Sequence, residues 1–427
     1  MTTGLRVDPR ESPRNYLARD RIVRLLEGVP DSVFDGSQLF LHQLAKARRH
    51  VAADPPAGEY WTKAETIREQ LDLAEAHLSA ALAPNFPVQD DRREVPLNLH
   101  VTSALTFDVR SRFEASHGDD ASSAAYLTRA QEEYIKAQAL DPDNTYVLEN
   151  FARFKLREAK DATTTERRVA LAIEAVTLLE WEMAVDDQLR RREAILETLV
   201  SAYTLLEAHV GLDRLREMAE NGDEAASIAV ARYLAYPARF SGPTARPSAP
   251  REALGLLNRI PADRVTWRSR LLVYQLVSES MPRDFAARLE AADELAAMTG
   301  FPWPFQIKLE YAILLFQMGR HRDGQQSFAQ IREMLVSRSG AVAVPNELRY
   351  LADPKSAFAS PLRTSILVTN TSSVGRNYYG IPHGWGAVEI PFRPYLFARQ
   401  RIVPRDDLDC LIQFSLFGPQ AVPPTEA

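Results

Sequence analysis

The pattern of hydrophobic and polar positions changes near residue 360. Before that point apolar side chains recur at helical spacing, as in the stripe formed by Phe40, Leu44 and Ala47. After it, short runs alternate apolar and aromatic residues and are interrupted by Gly and Pro. The pattern predicts a mainly α chain, a helical array of the solenoid type, followed by a small all-β C-terminal domain.

The breaks in the helical pattern predict the individual helices and a division of the chain. Helices are predicted over 15–26, 37–52, 61–82, 97–113, 121–140, 165–185, 189–209 and 212–234, the last split at Asn221-Gly222, with a helix from Leu148 and helical pairs over 251–337. The Pro-rich segment 237–250 is the clearest break and predicts a mobile loop or a hinge. We therefore expect a helical array over 1–236, this loop, a second helical segment over 251–360 and a β domain over 361–427.

Two segments of the array share a motif of small and aromatic residues. The first contains Ala130, Tyr134, Ala137, Pro142, Phe151 and Ala152, and the second contains Ala312, Gly319, Gly324 and Phe328. This motif resembles the tetratricopeptide repeat, in which small residues let two helices approach and an aromatic ring fills the groove. The resemblance implies a solenoid whose concave face binds a protein or peptide partner. A generic helical bundle with chance matches is the alternative.

The β domain carries a second resemblance. Strands are predicted over 364–369, 378–381, 386–391, 393–397 and 408–414, which suggests a small barrel or sandwich. The Gly384-Trp385-Gly386 strand entry and the closing Gly418-Pro419-Gln420-Ala421 are similar to the cold-shock family of OB-like barrels. That family stacks bases on strand aromatics, which implies a site for single-stranded RNA or DNA, although Ala387 stands where the second stacking aromatic belongs.

The candidate nucleic-acid site follows from this resemblance and from the interleaving of aromatic and Arg residues. Its members are Trp385, Arg376, Tyr378, Tyr379, Arg393, Tyr395, Phe397, Arg399 and Arg401, and Trp385 is the residue most expected to be exposed. The alternative is that these rings fill the interior of a small barrel.

Charge and composition exclude several function classes. The net charge is −6, yet residues 361–427 hold six Arg, no Lys and five acids, so the tail is near neutral while residues 1–360 carry −7. The sequence contains no Gly-x-x-x-x-Gly-Lys, HExxH or Gly-x-Ser-x-Gly motif, and its one cysteine, Cys410, pairs with no other. We therefore expect no catalytic, cofactor or metal site. The lack of a signal peptide and of a membrane-spanning stretch predicts a soluble cytoplasmic protein with no membrane partner.

The order of helical array and OB-like module resembles the C-terminal half of bacterial STAND-type defence NTPases and of animal antiviral proteins with sterile-alpha-motif domains. It implies a non-enzymatic sensor or adaptor, with repeats that bind a protein and a barrel that binds nucleic acid. The alternative is a pure interaction scaffold in which the barrel only caps the array. The sensor predicts an exposed Trp385 beside exposed Arg side chains, whereas the scaffold predicts that these residues pack against the helices around 316–335.

Overall fold

The computed structural model describes residues 38–55, 62–83, 94–185, 192–241, 248–335, 344–354, 356, 360–371, 377–397 and 401–424. The helix predicted over 15–26 lies outside these residues. Contacts along the chain divide it into two compact units, 1–260 and 261–427, each of which is described by itself. A helical array followed by a small β domain is confirmed.

The described part of the first unit is helical throughout. Its helices are α1 (Gln38–Ala53), α2 (Ala64–Ala81), α3 (Glu94–Ser116), α4 (Asp120–Leu140), α5 (Thr145–Asp161), α6 (Thr165–Val185), α7 (Arg192–Leu205), α8 (His209–Glu220), α9 (Glu224–Ala235), α10 (Ala238–Ser241) and α11 (Pro250–Leu257). Polar side chains cap the starts of several of them. The Asp119 carboxylate accepts a hydrogen bond from the Ser122 amide at 2.9 Å, and Asp223 caps α9 through the Ala226 amide at 2.9 Å.

These helices pack as successive pairs. Helix α1 packs on α2, α3 on α4, and α5 on α6, through apolar stripes that bury residues such as Leu71, Leu148 and Leu179. A second set of contacts joins every other helix, so that α1, α3, α5, α7 and α9 touch in turn. The odd-numbered helices from α1 to α9 therefore form one continuous row, which we call the inner row.

The predicted hinge segment 237–250 lies within the first unit, and residues 242–247 are outside the described part. The C-terminal end of this segment is hydrogen-bonded to helix α9. The Ala249 amide donates to the Leu234 carbonyl at 2.7 Å, and the Ser248 hydroxyl donates to the Ala235 carbonyl at 2.7 Å. Along the chain, the boundary between the compact units falls between Ile260 and Pro261 instead. The fourfold division of the chain and the hinge stay predictions.

The second unit combines helices with a barrel. Its helices are α12 (Trp267–Ser280), α13 (Phe285–Ala296), α14 (Phe305–Gln317) and α15 (His321–Leu335), followed by a 3-10 turn over Asn346–Leu348. The strands are β1 (Arg363–Asn370), β2 (Tyr378–Pro382), β3 (Ile390–Phe392), β4 (Asp407–Ser415) and β5 (Gly418–Val422). Gly319 has a φ of 76° in the tight turn between α14 and α15, a conformation that glycine adopts without strain.

The five strands close into a barrel in the order β1-β2-β3-β5-β4. Strand β3 runs parallel to β5, and the other pairs are antiparallel. Burial alternates along β1, where Ile366 and Val368 are buried and Leu367 is 42% exposed. Ile412 and Phe392 fill the same interior from β4 and β3.

Two of the predicted strands are wrong and one strand was not predicted. Residues 386–389 form a turn, so the strand predicted over 386–391 reduces to β3. The strand predicted over 393–397 is a 3-10 turn over Pro394–Leu396, because proline fixes φ and supplies no amide hydrogen for a sheet. Strand β5 was predicted only as a closing Gly-Pro motif, and its pairing with β4 depends on tertiary structure.

Candidate functional site

Trp385 lies in an aromatic cluster between the barrel and the helices of the second unit. Its indole stacks on the His321 imidazole, with ring centroids 4.2 Å apart and planes 17° from parallel, and lies 5.0 Å from the Phe316 ring. The side chain is 7% exposed, so the expectation that Trp385 is exposed is wrong. The flanking Gly384 and Gly386 have φ values of 82° and 64°, which lets the turn after β2 direct the indole toward α14 and α15.

Phe316 is the centre of this cluster. Besides Trp385, its ring lies 6.0 Å from Phe328 of α15 and 5.7 Å from Phe414 of β4. Phe316, Phe328 and Phe414 are each at most 3% exposed. A Cβ atom on Gly324 would lie 2.5 Å from the Phe316 ring, so glycine at this position is required for the close approach of α14 and α15.

Polar contacts reinforce the same junction. The Gln317 side chain donates to the Tyr350 carbonyl at 2.7 Å and accepts from the Ala352 amide at 2.9 Å. The segment that it holds also pairs with β4, because the Leu351 amide donates to the Ile412 carbonyl at 2.9 Å. The barrel is thus joined to α14 through both aromatic packing and backbone hydrogen bonds. We call this region the helix–barrel junction.

The remaining candidate residues that the structure describes differ in their exposure. Phe397 is 8% exposed and lies edge-on to Phe392 at 5.6 Å, and the half-buried Tyr378 lies edge-on to the same ring at 5.8 Å. Tyr379 is half-buried on β2, and Arg401 is exposed. Tyr395 is 67% exposed, and its hydroxyl accepts a hydrogen bond from the Arg393 guanidinium at 3.1 Å. Arg376 and Arg399 lie outside the described residues.

The exposed side of β1 and β4 carries acids. In their register Leu367 lies opposite Asp407 and Ser365 opposite Asp409, and both Asp side chains are exposed. The imidazole of His383 lies 3.4 Å from the Asp407 carboxylate. Carboxylates on this side of the barrel repel the phosphates of a nucleic acid.

Both repeat motifs occupy buried positions. Tyr134 is 1% exposed and stacks on Phe151, with ring centroids 5.1 Å apart and planes 13° from parallel. The small residues Ala130, Ala137, Ala152 and Ala312 are fully buried, and Phe328 is 1% exposed. Pro142 lies in the exposed turn between α4 and α5. These side chains therefore fill contacts between neighbouring helices.

Helix α3 buries charged side chains among its neighbours. The Arg110 guanidinium contacts Glu114 at 2.6 Å and Asp72 at 2.6 Å. Asp108 is 2% exposed and pairs with Arg157 of α5. Burial raises the pKa of Asp108, while Arg157 and two further guanidinium groups act in the opposite direction. Buried ion pairs of this kind fix the register of α3 against α2 and α5.

Sequence reasoning missed a groove between α5 and α7. It has a volume of about 390 Å³ and is lined by Arg153, Arg157, Lys160, Thr198, Ser201 and Phe240, together with Leu156 and Glu197. Positions 153, 157 and 160 follow helical spacing, so one cationic stripe of α5 could have been found in the sequence. The hydroxyl groups of α7 could not have been assigned to the same groove without the packing of the two helices. We call this feature the inner groove, because α5 and α7 belong to the inner row.

The described residues contain no group of three His, Cys, Asp or Glu side chains arranged to hold a metal ion. Cys410 is fully buried, and burial together with Asp409 and Asp407 raises the pKa of its thiol to about 12. A thiol with this pKa is neither a nucleophile nor a metal ligand at neutral pH.

Comparison with known proteins gives one family match. Residues 1–52 match the family described as Novel STAND NTPase 7, and the described part of this match, residues 38–52, lies within helix α1. This similarity agrees with the predicted relation to STAND proteins. It also bears on the expectation of a non-enzyme, because the matched family is named for NTPase activity. No curated protein matches the chain. In the described part of the chain no helix is long and apolar enough to cross a membrane.

Proposed function

We propose that this chain is a non-enzymatic adaptor of a STAND-related signalling or defence system. Its helical pairs form a tetratricopeptide-like array that binds a protein partner, and its OB-like barrel caps the last helical pair. The observation that carries the proposal is the stacking of Trp385 on His321. Trp385 is the residue expected to stack on a base, and its ring instead packs against the helices of the same unit.

The repeat assignment is supported by the packing of both motifs. In the first, small residues and Tyr134 mediate the contact from α4 to α5. In the second, Gly324 allows the close approach of α15 to α14. The inner row provides the extended surface on which repeat proteins bind their partners.

The cap assignment is supported by the junction itself. Solenoid ends need a terminal element that covers the apolar face of the last repeat. The barrel places Trp385 and Phe414 on Phe316, and without them this ring would be open to water. A closed barrel of five strands with one crossover fits the OB-like architecture.

Nucleic-acid binding is the second candidate function. The exposed Tyr395 beside Arg393, with Arg401 also exposed, favours it. The exposed Asp407 and Asp409 disfavour a site on β1 and β4. A site of this kind would lie around the 3-10 turn that follows β3, away from Trp385 in sequence.

The test is fluorescence anisotropy of the full chain with labelled single-stranded RNA and DNA over a salt series. Trp385→Ala is compared with the double variant Arg393→Ala/Tyr395→Ala, and circular dichroism monitors the fold of each. An adaptor gives no salt-sensitive binding and a destabilised Trp385→Ala protein. Binding that a folded Trp385→Ala variant loses would overturn the cap assignment, whereas binding lost only in the double variant would establish the second candidate.

The partner is sought separately by cross-linking mass spectrometry on the immobilised full chain in lysate of its source organism. Cross-links that cluster on the inner row support the adaptor. A partner that cross-links only elsewhere, or no partner at all, contradicts the proposed role of the array.

A further inference from the structure

We infer that the inner groove binds an extended segment of the partner that carries acidic side chains at alternate positions. The inference rests on the proposed function, since it names the chemistry of the partner that the array would take. It places the binding site on α5 and α7, within the first unit.

The cations of the groove form a ladder along one face of α5. Arg157 lies four residues and Lys160 seven residues beyond Arg153, which corresponds to a rise of about 6 Å and about 10 Å along the helix axis. In an extended peptide alternate side chains lie about 6.7 Å apart on the same face. Acidic residues two positions apart therefore match Arg153 and Arg157. The flexible four-carbon stem of Lys160 spans the remaining difference of about 3 Å to a third acid of the same series.

The accessible charge of the groove is positive, although its Arg residues are paired and Glu197 also lines it. The Glu197 side chain is 13% exposed and pairs with Arg232. The side chain of Arg153 is 42% exposed, whereas its partner Glu149 is 4% exposed. Arg157 is likewise 33% exposed, and its partner Asp108 is 3% exposed. The carboxylates lie behind the guanidinium groups, so an approaching ligand meets the cations first.

Lys160 completes the ladder without a carboxylate partner of its own. Among the described residues its ammonium group makes no hydrogen bond or ion pair, and its one charged influence is the neighbouring Asp161. The residue is exposed overall, and its partial burial lowers the pKa of the Lys160 ammonium group. A bound carboxylate would compensate this desolvation.

The α7 side of the groove favours a peptide over a bare polyanion. The Thr198 hydroxyl donates to the Ala194 carbonyl at 2.7 Å, and the Ser201 hydroxyl donates to the Glu197 carbonyl at 3.3 Å. Each hydroxyl has thus used its hydrogen, and its oxygen still accepts. Backbone amides of a peptide supply the matching donors, which phosphate groups lack. Phe240 offers an apolar contact for the side chains between the acids.

The test is titration of the full chain with a fluorescein-labelled peptide of alternating Glu and Ala. Lys160→Glu is the test variant, because this exposed side chain has no internal ion pair to lose. Arg251→Glu is the control, since Arg251 is exposed on α11 and does not line the groove. We expect binding that weakens with added salt, about tenfold weaker binding in Lys160→Glu, and no change in the control.

Two further probes sharpen the outcome. A peptide with the same Glu content in one block should bind more weakly, because its acids do not match the ladder. Single-stranded RNA of equal charge should not compete. Equal binding of the alternating peptide by wild type and Lys160→Glu, or competition by RNA at equal charge, overturns the inference. If a cross-linked partner binds wild type and Lys160→Glu alike, the array function stands and the groove assignment alone fails.

Discussion

Helix α3 and the helix–barrel junction both hold neighbouring elements together through side-chain contacts, but the chemistry of these contacts differs. Around α3, ion pairs join a buried side chain to a more exposed one, as in buried Arg110 with exposed Asp72 and buried Asp108 with partly exposed Arg157. At the junction, rings pack around Phe316, and the polar side chain of Gln317 contacts backbone. In the pair of Asp108 with Arg157 the cation stays partly accessible for a ligand, whereas the packed rings of the junction are buried. For this reason we propose a binding site on the helical array and not at the helix–barrel junction.

The largest expected effect is loss of the junction's central ring. Phe316→Ala removes a side chain that is 1% exposed and contacts four aromatic rings among the described residues, so we expect it to cost about 3–5 kcal/mol of unfolding free energy. Urea unfolding followed by tryptophan fluorescence measures this loss. Phe417→Ala, at a ring that is 71% exposed, is the matched control and should change stability by less than about 0.5 kcal/mol. Similar losses in both variants would contradict an aromatic junction.

A smaller effect is expected from adding one methyl group at the same place. Gly324→Ala puts a Cβ 2.5 Å from the Phe316 ring, and we expect it to destabilise the protein by about 1–3 kcal/mol. Gly255→Ala, in helix α11 with no atom within 4 Å of the new Cβ, should instead stabilise by about 0.5–1 kcal/mol. Opposite signs in thermal unfolding support close packing of α14 on α15. Stabilisation by both would show that the two helices lie further apart.

The smallest effect concerns the polar interior of the first unit. The imidazole of His42 hydrogen-bonds the Thr102 hydroxyl at 2.8 Å, which joins α1 to α3. Burial, followed by the charges of Lys46 and Arg49, lowers the pKa of His42 from 6.5 to about 4. The unfolded chain takes up a proton below pH 6.5 that the native chain resists, so stability falls as the pH falls from 6.5 to 4.

This residue should contribute about 1 kcal/mol of the stability lost between pH 7 and pH 5.5, given about 1.4 kcal/mol per pKa unit. His42→Gln keeps a hydrogen-bonding side chain and removes the titration, so its stability should depend less on pH by that amount. Chemical unfolding at both pH values, followed by circular dichroism, measures the difference. An unchanged pH dependence in His42→Gln would show that the ring is solvated in the native state.

The sequence predicted the helices better than the barrel. The bounds of α6 were predicted at Thr165 and Val185, and the break at Asn221 separates α8 from α9. Local periodicity and turn residues were sufficient there, because each helix forms its own backbone hydrogen bonds. Strand β5 depends on pairing with β4, and that partner is set by the closed barrel rather than by the local sequence.

The candidate site shows the same limit. The composition of the barrel could identify Trp385 as a distinctive aromatic, but its burial depends on His321 and Phe316, which are distant in sequence. The cationic stripe of α5 was visible at helical spacing, yet only the packing of α7 beside it makes a groove. The sequence shows the chemistry of each side chain, but it does not show which side chains are neighbours in the folded structure.

The hydrogen bonds of Gln317 have an evolutionary consequence. Its amide contacts the Tyr350 carbonyl and the Ala352 amide, which every residue except proline at 352 can supply. These two hydrogen bonds therefore persist through side-chain substitutions at 350 and 352 other than proline at 352, provided that position 317 keeps a side chain that both donates and accepts. These two hydrogen bonds between α14 and the segment at the barrel thus depend on backbone groups at 350 and 352 and on one kind of side chain at 317.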